Sequence, residues 1–298
     1  MSSFKEQDII QLCIERLADI YGLPVRLIGS KPVGGGCINH AVKITSSQGD
    51  FFLKWNANGP ADLFVKEAEG LNEMEKADNS FLIVPKVIWS KPTDDLPGLL
   101  LMEYLHPASS TSGFDERLGR GIAQLHKHTA PEFGFYHSNY CGTTLQDNTW
   151  NSNCPDFFAQ QRIWTLVNKI KTIRGLPASD QQIYARLVDK MPQLLDHPTI
   201  PSLIHGDLWS GNYMYTANGP ALIDPACYYA DREMELGMMQ LFGGFSPTVW
   251  KSYQEEYPLP DGWQRRIQLY QLYHLLNHYL LFGGSYGQQA IGIAKIFL

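Results

Sequence analysis

Apolar and polar positions follow two different rhythms along this chain, and the change falls about a third of the way in. Apolar residues first recur at Ile10, Cys13, Ile14 and Leu17, one face of a 3.6-residue period, behind a capping box begun by Ser3 with Glu6. That helix is expected to stop near Gly22 and Pro24. Short β-like runs follow at 25–28, 41–44 and 51–55, with residues 46–49 as the turn between the last two. Residues 62–77 read as a helix with Leu63, Glu67, Leu71 and Met74 on neighbouring turns. Strands fit 83–89 and 99–104. After His106 helical spacing dominates, at 115–128, 154–173, 180–195, 233–242, 247–256 and 263–282. The expected fold is α+β: an N-terminal lobe over 1–103 with an antiparallel sheet and a helix, and a larger, mainly helical lobe over 104–298, with a cleft between them.

Composition narrows the partners. The 298 residues are 44% hydrophobic and 18% charged with a net charge of −6, which suits a globular protein and offers no basic field for nucleic acid. No apolar run is long enough to span a bilayer, and the first 17 residues lack the apolar stretch of a signal peptide. The five cysteines are scattered without C-x-x-C spacing. A cytoplasmic protein without a disulfide framework is expected.

The most informative stretch runs from His205-Gly206-Asp207 through Asn212 to Ile223-Asp224. Asn218-Gly219 between two apolar runs signals a two-residue hairpin turn. Centred there, the turn sets Tyr213 opposite Asp224 and brings Asn212 and Asp224 to one open end, with Asp207 on the loop just before. An amide oxygen and a carboxylate suit Mg²⁺ when phosphates supply further ligands. Asp207 is then the group that orients an attacking hydroxyl and accepts its proton. Upstream, Gly34, Gly35, Gly36 and Cys37 form a loop whose backbone N–H groups can approach phosphate oxygens. Lys54 sits inside an apolar strand and needs a partner; Glu67 on the next helix is one and nucleotide phosphate the other. Glu103, Tyr104 and Leu105 close an extended apolar segment at the lobe junction and offer backbone groups to an adenine ring. The order of these features points to an enzyme that uses ATP and Mg²⁺.

These residues resemble the protein-kinase-like superfamily and, more closely, the fructosamine kinase (ketosamine-3-kinase) family. The resemblance spans nearly the whole chain. It includes Phe133-Gly134-Phe135, residues 142–148, the Asp-Pro-Ala…Tyr-Tyr…Asp-Arg-Glu run from Asp224 to Glu233, Glu235-Leu236-Gly237 and residues 241–245. It implies phosphorylation by ATP of the 3-hydroxyl of a ketosamine, free or protein-bound, after which the adduct decomposes and the amine is released. It also implies Asp207 as base, Asn212 and Asp224 as Mg²⁺ ligands, Lys54 on phosphates, Glu67 anchoring Lys54, and Trp209 against the sugar or in the core. His-Gly-Asp replaces the His-Arg-Asp of protein kinases, and Ile-Asp-Pro replaces Asp-Phe-Gly. The segment after Asp224 leaves no room for a long activation loop.

Two other functions fit the same pattern: a phosphotransferase for choline, an aminoglycoside or homoserine, and an inactive kinase-like scaffold. His126 and His128 face different sides of a helix, whereas His274 and His278 share a face without an evident third zinc ligand. Cys37, at the tip of the glycine-rich loop, is a candidate redox-sensitive thiol, so the chain is expected as a monomer or as a homodimer linked through that loop.

Overall fold

A computed structural model describes residues 5–34, 39–109 and 112–298. The first apolar stripe does become a helix, α1 (Glu6–Tyr21), closed by Gly22. Ser3 lies outside the described residues; Lys5 is the N-cap and Asp8 accepts its backbone N–H at 3.4 Å. The next elements are β1 (Leu27–Pro32), β2 (His40–Ser46), β3 (Gly49–Asn56), α2 (Leu63–Glu75), β4 (Val87–Lys91) and β5 (Gly98–Glu103). The strands form one antiparallel sheet in the order β1-β2-β3-β5-β4.

The two-residue period of a strand sorts the sheet's faces. Leu53, Trp55, Leu99 and Leu101 pack with the buried stripe of α1. Leu100 and Met102 pack with Phe64, Ala68 and Leu71 of α2. Lys54 lies between Leu53 and Trp55 and opposite Leu100, so the pleat turns it toward α2. The expected strand over 83–89 is corrected by the structure. Pro85 has no N–H for a ladder. Ile83 instead bridges to Ala221 in the second half of the chain, donating to Pro220 O at 2.8 Å, and β4 begins only at Val87.

The remainder comprises α3 (Phe114–His126), β6 (Asn139–Cys141), β7 (Thr144–Gln146), α4 (Cys154–Asp156), a π-helical stretch (Phe157–Trp164), α5 (Thr165–Ile173), α6 (Ala178–Leu194), β8 (Ser202–Ile204), β9 (Tyr213–Thr216), β10 (Gly219–Leu222), β11 (Tyr228–Ala230), α7 (Glu233–Phe242), α8 (Pro247–Glu256), α9 (Trp263–Phe282) and α10 (Tyr286–Ile296). The strands here pair as β6–β7, β9–β10 and β8–β11. The largest core is built from these elements, and it also takes in Met74 from the last turn of α2 and Leu82. The π stretch carries Arg162, which is fully buried. Its guanidinium lies 4.0 Å from the Tyr228 ring centre and donates to Asn148 Oδ1 and Asp147 O at 2.6 Å each. A buried cation needs such donors' partners and aromatic faces around it.

The β9–β10 hairpin forms, but its register differs from the expectation. Thr216 pairs with Gly219 and Tyr213 with Leu222, so Ala217 and Asn218 make the turn and Tyr213 does not face Asp224. The Thr216 hydroxyl accepts the Asn218 N–H at 3.2 Å and donates to Gly219 O at 2.8 Å, which selects this turn, shifted by one residue from the expected one. Asn212 therefore meets Ile223, whose N–H it accepts at 3.0 Å, and Asp224 comes one residue later.

Candidate functional site

The loop from His205 to Asn212 joins β8 to β9 and is held from beneath. Glu235, in the first turn of α7, accepts the backbone N–H groups of His205 and Gly206, the latter at 3.2 Å. His205 is buried, so its imidazole is held neutral, its pKa below the usual histidine value. Its Nε2–H donates to Ile223 O at 2.8 Å, which leaves Nδ1 to accept the Asp207 N–H at 3.3 Å. Gly206 has φ 81°, and a Cβ there would fall 2.2 Å from Ala226 O, so only glycine lets the loop pass.

Asp207 thereby projects into a cleft of about 480 Å³ whose walls also carry Asn39, Lys54, Glu67, Trp209, Asn212 and Asp224. Five of the expected site residues thus converge with Trp209 in one place. Lys54 Nζ donates to Asp224 Oδ1 at 2.8 Å and forms an ion pair with Glu67. Burial alone would lower the Lys54 pKa, but the Asp224 and Glu67 carboxylates outweigh it and hold the ammonium charged. The same ammonium lowers the Asp224 pKa below the usual carboxylate range. Glu67 goes the other way, pushed to about 7 by burial. Asp207 is pushed up to about 8 by burial and by the nearby carboxylates of Glu235 and Asp224. Asp224 also has φ 57°, a conformation rare outside glycine, and strain of this kind concentrates at working sites.

The donor set fits a hard divalent cation. Asn212 Nδ2 donates to Asp207 O at 2.8 Å and to Asp207 Oδ2 at 3.3 Å, which fixes the amide and leaves Asn212 Oδ1 as the acceptor toward the cleft. Asp224 gives one oxygen to Lys54 and keeps the other. Two hard oxygens with open space beside them suit Mg²⁺ completed by phosphate and water. Trp209 stands at the mouth, 41% exposed, with its ring over Gly211.

Other expected residues lie elsewhere. Gly34 is described, whereas Gly35, Gly36 and Cys37 lie outside the described residues. Glu103, Tyr104 and Leu105 do not line this cleft. Glu103 pairs with Phe51, three positions along the ladder from Lys54, or about 10 Å. Its carboxylate accepts the Lys86 N–H at 3.1 Å, and the Tyr104 N–H donates to Asp50 O at 3.1 Å. Cys13, Cys141, Cys154 and Cys227 are free and buried.

Several residues around the site carry no site role in the sequence reading. Glu235 has a readable signal, a carboxylate between Met234 and Leu236 in a mostly apolar helix. Asn139, whose Nδ2 donates to Cys227 O at 2.7 Å, and Gln146, whose Nε2 reaches Ala226 O at 3.2 Å, brace the segment after Asp224 from the β6–β7 hairpin. Phe242, Asn277 and His278 close the far wall. His274 has partners its sequence spacing does not show: one of its ring nitrogens, Cys141 Sγ and the Asp207 carboxylate lie within 4.8 Å of one another.

Comparisons with known proteins agree with this geometry. The family model described as fructosamine kinase matches residues 9–298. A "probable ketoamine kinase" of Enterococcus faecium is 36% identical over 268 residues, covering 89% of this chain and 94% of its own. The chloroplastic protein-ribulosamine 3-kinase of Oryza sativa subsp. indica is 36% identical over 284 residues, covering 93% of this chain and 81% of its own. A crystal structure of a "putative fructosamine-3-kinase" from Thermobifida fusca superposes with a TM-score of 0.83 at 31% identity, covering 95% of this chain and 97% of that one. The ADP-bound aminoglycoside phosphotransferase APH(2'')-Ib superposes with a TM-score of 0.63 at 13% identity, over 99% of this chain and 100% of its own, a likeness of fold alone.

Proposed function

Because the chain belongs to the fructosamine kinase family, we propose that it transfers the γ-phosphoryl group of ATP to the 3-hydroxyl of a ketosamine. The observation that carries this reading is the convergence of Lys54, Glu67, Asp207, Asn212 and Asp224 on one cleft. Asn212 Oδ1 and the free oxygen of Asp224 would hold Mg²⁺. When bound, the ion neutralises charge on the β- and γ-phosphates. Lys54 contacts phosphate oxygens and Glu67 keeps it in place. The loop at Gly34, Gly35, Gly36 and Cys37 covers the phosphates, and Glu103, Tyr104 and Leu105 receive the adenine. Asp207 orients the sugar hydroxyl and takes its proton; a carboxylate with a raised pKa is a stronger proton acceptor than an exposed one. Trp209 stacks on the sugar. The lobes divide at Glu103, the enzyme works in the cytoplasm, and its role is removal of sugar adducts from amines.

The test is Mg²⁺-dependent ATP consumption with ribulosyl-lysine, fructosyl-lysine, choline and an aminoglycoside. Turnover of a ketosamine alone is expected. Turnover of choline or the antibiotic instead would overturn the substrate assignment, and turnover of nothing would point to a scaffold.

A further inference from the structure

In protein kinases the Lys–Glu pair forms only when its helix is held in place, and a regulated activation loop supplies that hold. Here only residues 225–232 lie between Asp224 and α7. Something else must keep α2, which carries Glu67, against the rest of the site.

One edge of α2 is tied to the helical half of the molecule along its length. Asp62, the N-cap, accepts the Tyr140 O–H at 2.7 Å. Glu69 pairs with His137 at 3.1 Å. Gly70 backs onto the segment after Asp224, where an added Cβ would be 3.4 Å from Cys227 Cβ and 3.7 Å from Pro225 Cγ. Glu73 accepts the Tyr229 O–H at 2.7 Å, and His128 Nε2 lies 3.5 Å from it. Met74 is buried in the large helical core. Residues 62, 69, 70, 73 and 74 fall on one helix face at three-, four- and seven-residue spacings.

Of the hydrogen bonds and ion pairs among these contacts, Tyr229–Glu73 is the most sheltered. Glu73 and Tyr229 are 4% and 2% exposed, whereas the His137 side chain is 60% exposed. It also closes a circuit. Tyr229 follows Asp224 by five residues, and Lys54 joins Asp224 to Glu67. Glu73 lies six residues beyond Glu67 on the same helix. The helix and the Asp224 segment are therefore pinned to each other twice, once through Lys54 and once through Tyr229.

We propose that the Tyr229–Glu73 hydrogen bond is a positioning contact that keeps α2 seated and Glu67 on Lys54, a built-in replacement for a regulated activation loop. It rests on the roles given to Lys54 and Glu67 above. It also gives a function to the Tyr-Tyr…Asp-Arg-Glu run, which the phosphoryl-transfer chemistry leaves unused.

Tyr229→Phe removes only the O–H and leaves the ring in its contacts with Phe135, Trp150 and His128. Assayed well below its melting transition, it should lose roughly tenfold in kcat/KM for ATP, the size of one charge-assisted buried hydrogen bond, with KM for the ketosamine unchanged. Glu73→Gln, which keeps an acceptor, should stay within about threefold of wild type, whereas Glu73→Leu should match Tyr229→Phe. The double variant Tyr229→Phe/Glu73→Leu should be no worse than either single one. Wild-type kinetics in Tyr229→Phe, equal losses in Glu73→Gln and Glu73→Leu, or additive losses in the double variant would each overturn the proposal. ATP affinity by calorimetry reads the same comparison without an acceptor. A wild-type enzyme that ignores ketosamines therefore refutes the substrate assignment while this contact is still decided.

Discussion

Asp224 and Asp207 face one cleft, yet their surroundings push them in opposite directions. Asp224 sits on Lys54, whose charge holds its carboxyl below the usual range. Among the described residues no cation pairs with Asp207; burial and the carboxylates of Glu235 and Asp224 raise it to about 8. Two acids of the same kind, carried on one loop-and-hairpin unit, are thus prepared for different work. The one kept ionised suits holding a cation, and the one whose ionised form is costly suits taking a proton. Environments that drive paired titratable groups apart are how acid–base roles are divided in a site.

The sharpest way to break that contrast is Asp207→Asn, which removes the costly charge and keeps the shape. Turnover should fall by roughly a hundredfold or more while ATP affinity stays, the loss expected for a general base. Stability should move the other way. Without metal the folded pKa of Asp207 lies above its unfolded value, so the metal-free native state stays protonated from about pH 4 to about pH 8 and bears the charge only above that, whereas Mg²⁺ bound beside it would favour the ionised form that accepts a proton. In metal-free buffer the variant should match wild type near pH 4 and gain melting temperature as pH rises, levelling off above about pH 8. The gain is on the order of a few kcal/mol. Thermal scans across that range check it; a pH-independent difference would remove the contrast.

Lys54→Met tests the other side. It leaves Glu67 buried without its cation, and breaking a buried pair costs about 3–5 kcal/mol. Glu67 already titrates near 7 through burial, so it can escape the cost by taking a proton. The variant should therefore lose more stability at pH 8 than at pH 6 in urea unfolding. Equal losses at both pH values would mean that Lys54 contributes packing rather than charge.

How legible these features were in the sequence depends on how local their causes are. The buried lysine, its glutamate and the His-Gly-Asp…Asn…Ile-Asp spacing are short-range or compositional signals, and all five side chains converge on the cleft. The helices at 233–242, 247–256 and 263–282 also form with the expected bounds. The failures are where a distant partner decides. Ile83 left the expected strand because Pro220 and Leu222, far along the chain, take its backbone groups. The β6–β7 hairpin is three residues a side and is held by Asn139 and Gln146 bonding to residues 226 and 227, so little hydrophobic alternation marks it. Glu235 is legible as an acid in a mostly apolar helix, but its role needs the loop it caps. Glu235→Ala should leave two buried N–H groups without partners, costing about 1–3 kcal/mol each, and should lower turnover through the loop rather than through ATP binding. Unfolding and ATP titrations together check that split.

The smallest expected effects decide the hairpin that joins Asn212 to Asp224, the two proposed oxygen ligands. An Asn-Gly dipeptide favours a turn with φ above zero at both positions. Among the described non-glycine residues only Asp78 and Asp224 have positive φ, so Asn218 does not adopt it. Gly219 instead opens β10 at φ 138°, a value that strains any side chain. Arg117 Nη2 sits 2.5 Å from where its Cβ would be, although a guanidinium can move aside. Gly219→Ala should therefore cost about 1 kcal/mol through the backbone, and Thr216→Val a similar amount through the two bonds its hydroxyl makes in the turn. Asn218→Ala should be close to neutral, because the turn uses only its N–H. A primed Asn-Gly turn would reverse that order, making Asn218→Ala costly and Thr216→Val harmless. Urea midpoints for the three variants distinguish the registers. In the register seen here Asn212 accepts the Ile223 N–H, so a stable Asn218→Ala with near-normal turnover would show that the placement of Asn212 beside Asp224 owes nothing to the Asn-Gly turn.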